Sequence, residues 1–158
     1  MAVKPIPDGY HTATPYLVVN NAAEALAFYK QAFGATESLR LNAPSGEVAH
    51  AEIKIGDSPI MLADEMPDSE FHSPKSIGGT PVSIMLYVED VDVRFTKATR
   101  AGAKALRPVQ DQFYGDRSGT LQDPFGHIWT IATHKEDVTP EEINKRAAAM
   151  FQQQSSRK

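Results

Sequence analysis

The sequence predicts an α+β protein made of two βαβββ modules, each a concave mixed sheet, with one helix added at the C-terminus. Three observations predict it. Two apolar runs, TPYLVV (14–19) and VSIMLYV (82–88), each lead at once into a capped amphipathic helix. Three strand-like runs follow each helix, so the chain repeats one plan in units of roughly fifty residues. A stretch rich in Pro, Ser, Gly and Asp, DEMPDSEFHSPKSIGGTP, separates the two copies and has no period.

The elements follow in order. TPYLVV is apolar on both alternating faces, the pattern of a central strand covered above and below. In NNAAEALAFYKQAFGA, Asn20 or Asn21 serves as cap with Glu24 as its capping-box partner; Ala22, Ala25, Leu26, Tyr29 and Phe33 form one stripe and Gly34 is the stop. ESLRL, VAHAEIKI and PIMLAD are strands, the last two joined by GDS. VSIMLYV opens the second copy as another central strand. Its helix has Asp90 as cap, Val91, Phe95 and Ala98 as stripe, and Gly102 as stop. ALRPVQ, SGTLQ and HIWTIAT complete the copy, the last two joined by the DPFG corner. Finally Thr139, Pro140 and Glu142 open a helix whose apolar residues Ile143, Ala147, Met150 and Phe151 dock it on the body or across a dimer interface. The boundaries are a first module at 10–66, a linker at 67–80, a second module at 81–136 and the terminal helix at 139–154.

Composition narrows the function. The 158 residues suffice for one domain with a good core, and a net charge of -4 argues against a surface that neutralises phosphates, so nucleic acid is not an expected partner. With no cysteine, His, Asp and Glu are the only strong metal ligands. MAVKPIPDGY lacks the apolar core of a signal peptide and no segment approaches a membrane span, which places the chain in the cytoplasm with no membrane partner.

A βαβββ unit covers one sheet face with its helix and leaves the concave face bare. A second unit covers it, from the same chain or from a homodimer partner, and the concavity is where a small molecule would sit. In VAHAEIKI the alternation sets Ala49, Ala51, Ile53 and Ile55 against His50, Glu52 and Lys54. His50 and Glu52 then look into the concavity as an acid–base pair, as a two-point metal site or, on the plainest reading, as a solvated strand face. Arg117, in FYGDRSG, has two readings of equal weight: a forked donor for a carboxylate or phosphonate, or half of an ion pair pinning its loop. His11 caps backbone or lines the pocket mouth, His72 meets solvent, and His127 and His134 serve turns and strand ends. Trp129 packs as core if Thr130 faces the cavity.

GYHTATPYLVVNNAAEALAFYKQAFGA (9–35), HAEIKIGDSPIMLADE (50–65) and FYGDRSGTLQDPFGHIWTIATH (113–134) together resemble the vicinal oxygen chelate superfamily. This is the glyoxalase, bleomycin-resistance and extradiol-dioxygenase group, and the resemblance is closest to its PhnB-like branch. Enzymes of that group hold a divalent metal with His, Gln or Glu on the central strands. Carried over residue by residue, the resemblance puts those positions on Thr14, Leu62, Ser83 and Thr130. Hydroxyls bind a dication weakly and leucine not at all. The expectation is therefore no metal and no cofactor, and a concavity lined by Thr14, Tyr16, Leu62, Ser83, Met85, Arg117 and Thr130 that binds a small organic molecule. The alternative is a lyase, isomerase or dioxygenase-like enzyme with a metal or acid–base site rebuilt on His50 and Glu52. A scaffold whose own side chains fill the concavity is a third possibility.

Overall fold

The computed structural model describes residues 3–155. The first copy comprises β1 (Tyr16–Val19), α1 (Ala22–Phe33), β2 (Thr36–Asn42), β3 (Val48–Ile55) and β4 (Ser58–Asp64). A short helix, α2 (Pro74–Ile77), lies in the connecting stretch. The second copy comprises β5 (Ser83–Tyr87), α3 (Val91–Arg100), β6 (Lys104–Asp111), β7 (Asp116–Gln122) and β8 (Ile128–His134), followed by α4 (Pro140–Ser155). The two mixed sheets have the matching orders β1-β4-β3-β2 and β5-β8-β7-β6, with the first strand of each parallel to its neighbour and the other pairs antiparallel. The duplicated α+β architecture is thus the one the sequence predicts.

Local chemistry sets the helix ends. Asn21 accepts from the Glu24 backbone N–H (3.1 Å) and Gly34 ends α1 in the left-handed conformation, at φ 69°. Asp90 caps α3 through the Val93 N–H at 2.9 Å. On α1 the predicted stripe of Ala22, Ala25, Leu26, Tyr29 and Phe33 is buried, but so are Phe28 and Ala32. The reason is that α1 packs on two things at once: its own sheet, and the second module.

That second contact is made at the DPFG corner. Phe125 meets Phe28 and Tyr29 edge-on, and Trp129, fully buried, lies 4.7 Å from the Phe33 ring and 5.4 Å from Tyr29. Among these rings sits the buried carboxylate of Asp123. It accepts from Tyr29 Oη (2.7 Å), Trp129 Nε1 (2.9 Å) and the backbone N–H groups of Phe125 and His127 (both 2.9 Å). Burial, with the Asp123 charge next, pushes the Tyr29 phenol well above its usual range, so it stays a donor. His127 adds a bond from Nε2 to the Val18 carbonyl oxygen at 2.9 Å, and Arg94 Nη1 of α3 reaches the Ala32 carbonyl. The helix-bearing sides of the modules therefore meet, with α1 packed on α3.

Three local expectations are corrected. β1 and β5 are edge strands, not central ones: their inner residues Leu17, Val19 and Leu86 are buried, whereas Tyr16, Met85 and Tyr87 stand exposed on the other face. The connecting stretch is not structureless. Ser73, fully buried, caps α2, and Glu65 binds the Ser73 N–H (2.9 Å), Ser76 Oγ (2.7 Å) and His72 Nδ1 (3.0 Å), so His72 has a partner. Ala49 leaves the core-facing series, because an irregularity between Leu41 and Asn42 turns Val48 inward in its place. At the other end of the chain, α4 is held chiefly by Arg146, which forks onto Glu136 (2.9 Å twice) and reaches the Phe113 carbonyl, while Phe151 remains exposed.

Asp123→Ala would strand two buried donors, Tyr29 Oη and Trp129 Nε1, each costing about 1–3 kcal/mol when unsatisfied. Urea denaturation is expected to show a loss of about 3 kcal/mol or more, against about 1 kcal/mol for Tyr29→Phe. Equal losses in the two variants would contradict the role given to the carboxylate.

Candidate functional site

The concave face of the first sheet is built from alternate residues of its four strands. Register places Tyr16 beside Met61 and Met61 beside Glu52; Glu52 lies opposite Leu39, and His50 opposite Leu41. Leu62, one residue further along β4, is fully buried between Leu17 and Ala51 beneath α1. It belongs to the core, and the expectation that it lines the concavity is corrected: Met61 and Ala63 are the β4 residues on that face. The sequence hid this because PIMLA is apolar at every position and offers no alternation.

His50 and Glu52 do look into the concavity, and they do not stand alone. Tyr16 Oη lies 2.7 Å from His50 Nδ1, His50 Nε2 lies 3.2 Å from Glu52 Oε1, and Tyr10 Oη donates to Glu52 Oε2. The Tyr10 bond first, then the His50 bond, hold the Glu52 carboxyl below its usual range. The same Glu52 bond, with burial behind it, pushes Tyr10 up to about 12. Tyr16 is raised too, by burial first and by the Glu52 charge second. An ionised Glu52 can only accept, so His50 Nε2 carries the proton between them. In the tautomer with its proton on Nε2, His50 accepts from Tyr16 through Nδ1. The chain is ordered: Tyr16 gives to His50, His50 gives to Glu52, and Tyr10 gives to Glu52 from the other side. Sequence reasoning named His50 and Glu52 as a pair and Tyr16 as a lining residue; Tyr10, 42 residues from Glu52, carried no signal.

On the second sheet the concave face carries Ser83, Met85 and Tyr87 from β5, Thr130 from β8 and Ser118 and Thr120 from β7. Thr120 Oγ1 and Thr130 Oγ1 bond to each other at 3.0 Å. Asp116, buried at the start of β7, accepts from Tyr87 Oη and His134 Nδ1, both at 2.8 Å. Arg117 points the opposite way. It grips both oxygens of Asp92 on α3 (2.8 and 2.9 Å) and Asp111 on β6 (3.1 Å), so the anion-binding expectation is corrected in favour of an ion pair, one that pins α3 to its sheet. Alternation decides it: Gly119 and Leu121, on the same face as Arg117, are packed under α3, where a Cβ on Gly119 would come within 2.8 Å of Phe95.

Three hollows follow from this arrangement. One of about 480 Å³ is walled by Tyr16, Val18, Ala49, Ala63, Met66 and Phe71, with Asp64 also among its lining residues. A more open cleft of about 780 Å³ runs between β1 and β5 and brings together Thr14, Tyr16, Ser83 and Met85. The third, about 370 Å³, is bounded by Met85, Arg107, Gln110, Ser118, Thr120 and Thr130. Each is mostly lined by hydrocarbon, hydroxyl and amide groups, the ordinary makings of a small-molecule site.

Residues 10–131 match the Glyoxalase/Bleomycin resistance protein/Dioxygenase superfamily, and the chain belongs to it. An uncharacterized protein of Mycobacterium bovis, Mb0911c, is 42% identical over 143 residues, which cover 89% of this chain and 92% of that one. The X-ray structure of the Arabidopsis thaliana gene product At5g48480 superposes with a TM-score of 0.62 at 29% identity, over 78% of this chain and 98% of that one. The PhnB protein from Bacillus cereus has the same fold, with a TM-score of 0.62 at 21% identity over 78% of this chain and 99% of that one.

The metal that the superfamily implies does not fit the donors present. The positions that correspond between the two sheets are Thr14 and Ser83 ahead of or in the first strands, and Met61 and Thr130, which pair with Tyr16 and Met85 respectively. Two threonines, a serine and a thioether supply neither a carboxylate nor an imidazole. Among the described residues no three His, Asp or Glu side chains converge into a group able to hold an ion.

Glu65 supports the Phe71 side of the larger hollows by holding α2 and its approach. The Ser73 and Ser76 hydrogen bonds bring its carboxyl down to about 2. A carboxyl lowered on folding contributes stability above its unfolded range, near pH 4.5, that is lost as pH falls toward 2. Protection of the amides of residues 72–79, taken relative to the intrinsic exchange rate at each pH, is therefore expected to fall between those limits and to be low at neutral pH in Glu65→Gln. Equal protection in the variant and the parent would show that Glu65 does not hold the segment.

Proposed function

We propose that the protein is a cytoplasmic small-molecule-binding member of its superfamily, working as a homodimer and without the usual divalent metal. One observation carries the reading. β1 and β5 are apolar on both faces, yet each is an edge strand with one face uncovered, where Tyr16, Met85 and Tyr87 are about half exposed or more. An apolar edge with a bare concave face calls for a cover, and the complementary sheet of a second copy is of matching shape. Thr14, Tyr16, Ser83, Met85 and Thr130 then surround the enclosed ligand with hydroxyl and hydrocarbon groups. No helix among the described residues is long and apolar enough to cross a membrane.

A second reading has its own support. The ordered chain Tyr16, His50, Glu52 has the polarity of a general-base relay, with Tyr16 at the open end, and suits metal-free proton transfer on a bound molecule.

The test is a thermal-shift screen of metal-stripped protein against divalent ions and a diverse compound library, with the mass measured by ultracentrifugation. A compound at a hundred times its Kd adds about 2.7 kcal/mol, or about 5–10 °C for a chain of this size. The expected result is a dimer of the 17.3 kDa chain stabilised by an organic compound and unmoved by Ni, Zn, Mn or Fe. Stabilisation by one of those ions, with no compound active, would overturn the reading.

A further inference from the structure

We propose that the hollow walled by Tyr16, Val18, Ala49, Ala63, Met66 and Phe71 takes an organic cation: a hydrocarbon or aromatic body carrying a protonated amine. This rests on the small-molecule reading and adds the ligand's chemical class.

Three features of the first module converge on that class. The first is the direction of the hydrogen-bond chain. In the Nε2-protonated tautomer Tyr16 Oη donates to His50 Nδ1, so the hydroxyl meets a ligand through its lone pairs, as an acceptor, and pairs with an N–H donor. The second is charge. Glu52 stands behind the chain and Asp64 is among the residues lining the hollow. Asp64 is fixed there by the backbone N–H groups of Ala22 (2.6 Å) and Val48 (2.8 Å), one to each oxygen, with no Lys or Arg among the residues lining the space. A wall of low polarity concentrates the field of two carboxylates, neither bonded by a Lys or Arg although Glu52 holds the His50 ring, which attracts a cation and repels an anion. The third is the aromatic content. Tyr16 and Phe71, both exposed, offer ring faces to an alkyl body or directly to an ammonium.

The second module has rings of its own, Phe113 and Tyr114, but differs in charge. Its corresponding hollow presents Arg107 and two glutamine amides, and the Asp116 carboxylate beside it is already engaged by Tyr87 and His134. The two concave faces are thus chemically unlike despite their common fold, and the cation belongs to the first.

The experiment uses the full chain and three probes of one shape: phenethylammonium, its N,N,N-trimethyl derivative and phenylacetate. Each is titrated at neutral pH while backbone amide shifts are followed by NMR. Phenethylammonium is expected to move amides of β1, β3 and β4 and to bind at least tenfold more tightly than phenylacetate. Removing its N–H donors by methylation is expected to weaken it several-fold. Tyr16→Phe should abolish the difference between the ammonium and the trimethyl probe, and Glu52→Gln should erase the preference over phenylacetate; far-ultraviolet circular dichroism confirms that both variants are folded. Phenylacetate binding those strands as well as the amine would overturn the cation class and leave the small-molecule reading standing. Failure of phenethylammonium to move those amides, while a neutral compound from the thermal-shift screen does, would likewise overturn the class alone. Silence from every probe and every compound would overturn both.

Discussion

A buried carboxylate joins the two halves of the molecule. Among the described residues Asp123 has no Lys or Arg partner; it is kept inside by four donors, two of them side chains deep in the core and two the N–H groups of its own turn. Such a group is costly to bury unless fully hydrogen-bonded, and its satisfaction fixes geometry as well as energy. Tyr29 comes from the first module and Trp129 from the second. For both to reach one carboxylate, α1 must lie against the DPFG corner, and the aromatic cluster of Phe28, Phe33, Phe125 and Trp129 closes around it.

Much else follows from that junction. With the helix-bearing sides packed together, the concave sheets are turned away from the shared core, and their first strands are left as edges on either side of an open cleft. What a single chain leaves bare is therefore set by the same contact that stabilises it. The ion pairs play a lesser part. Arg117 with Asp92 and Asp111, and Arg146 with Glu136, tether α3 and α4 at the surface, where such pairs are worth little individually.

The sequence made the elements legible wherever periodicity and capping residues agreed. Asn21, Gly34, Asp90 and the DPFG corner all behave as their chemistry dictates, and the duplication is visible in the strand runs themselves. Facing was legible only where polarity alternates. VAHAEIKI announces the inward turn of Ala51 and Ile53, whereas uniformly apolar PIMLA could not correct the carry-over from the family resemblance that set Leu62 on the wrong side, by a single residue. The same lack of alternation made TPYLVV and VSIMLYV look like central strands; they are apolar on both sides, but no strand among the described residues flanks them on the outer edge. Partnerships distant in sequence were out of reach. Tyr29 with Asp123, Tyr10 with Glu52 and Arg117 with Asp92 depend on how modules and helices dock, which no local pattern encodes. Glu65 was similarly silent, because its role is to organise a segment whose composition reads as loop.

The functional account rests on the donors that occupy the shared position of the two sheets. Thr14, Met61, Ser83 and Thr130 suit an organic molecule held by hydroxyls and hydrocarbon, and the ordered phenol–imidazole–carboxylate chain beside them gives that molecule a polar anchor. The most direct measurement is anomalous diffraction from crystals of the protein grown with manganese or zinc. The account predicts no ion bound by side chains at Thr14, Met61, Ser83 or Thr130; an anomalous peak there, held by three or more side chains of the protein, would contradict it.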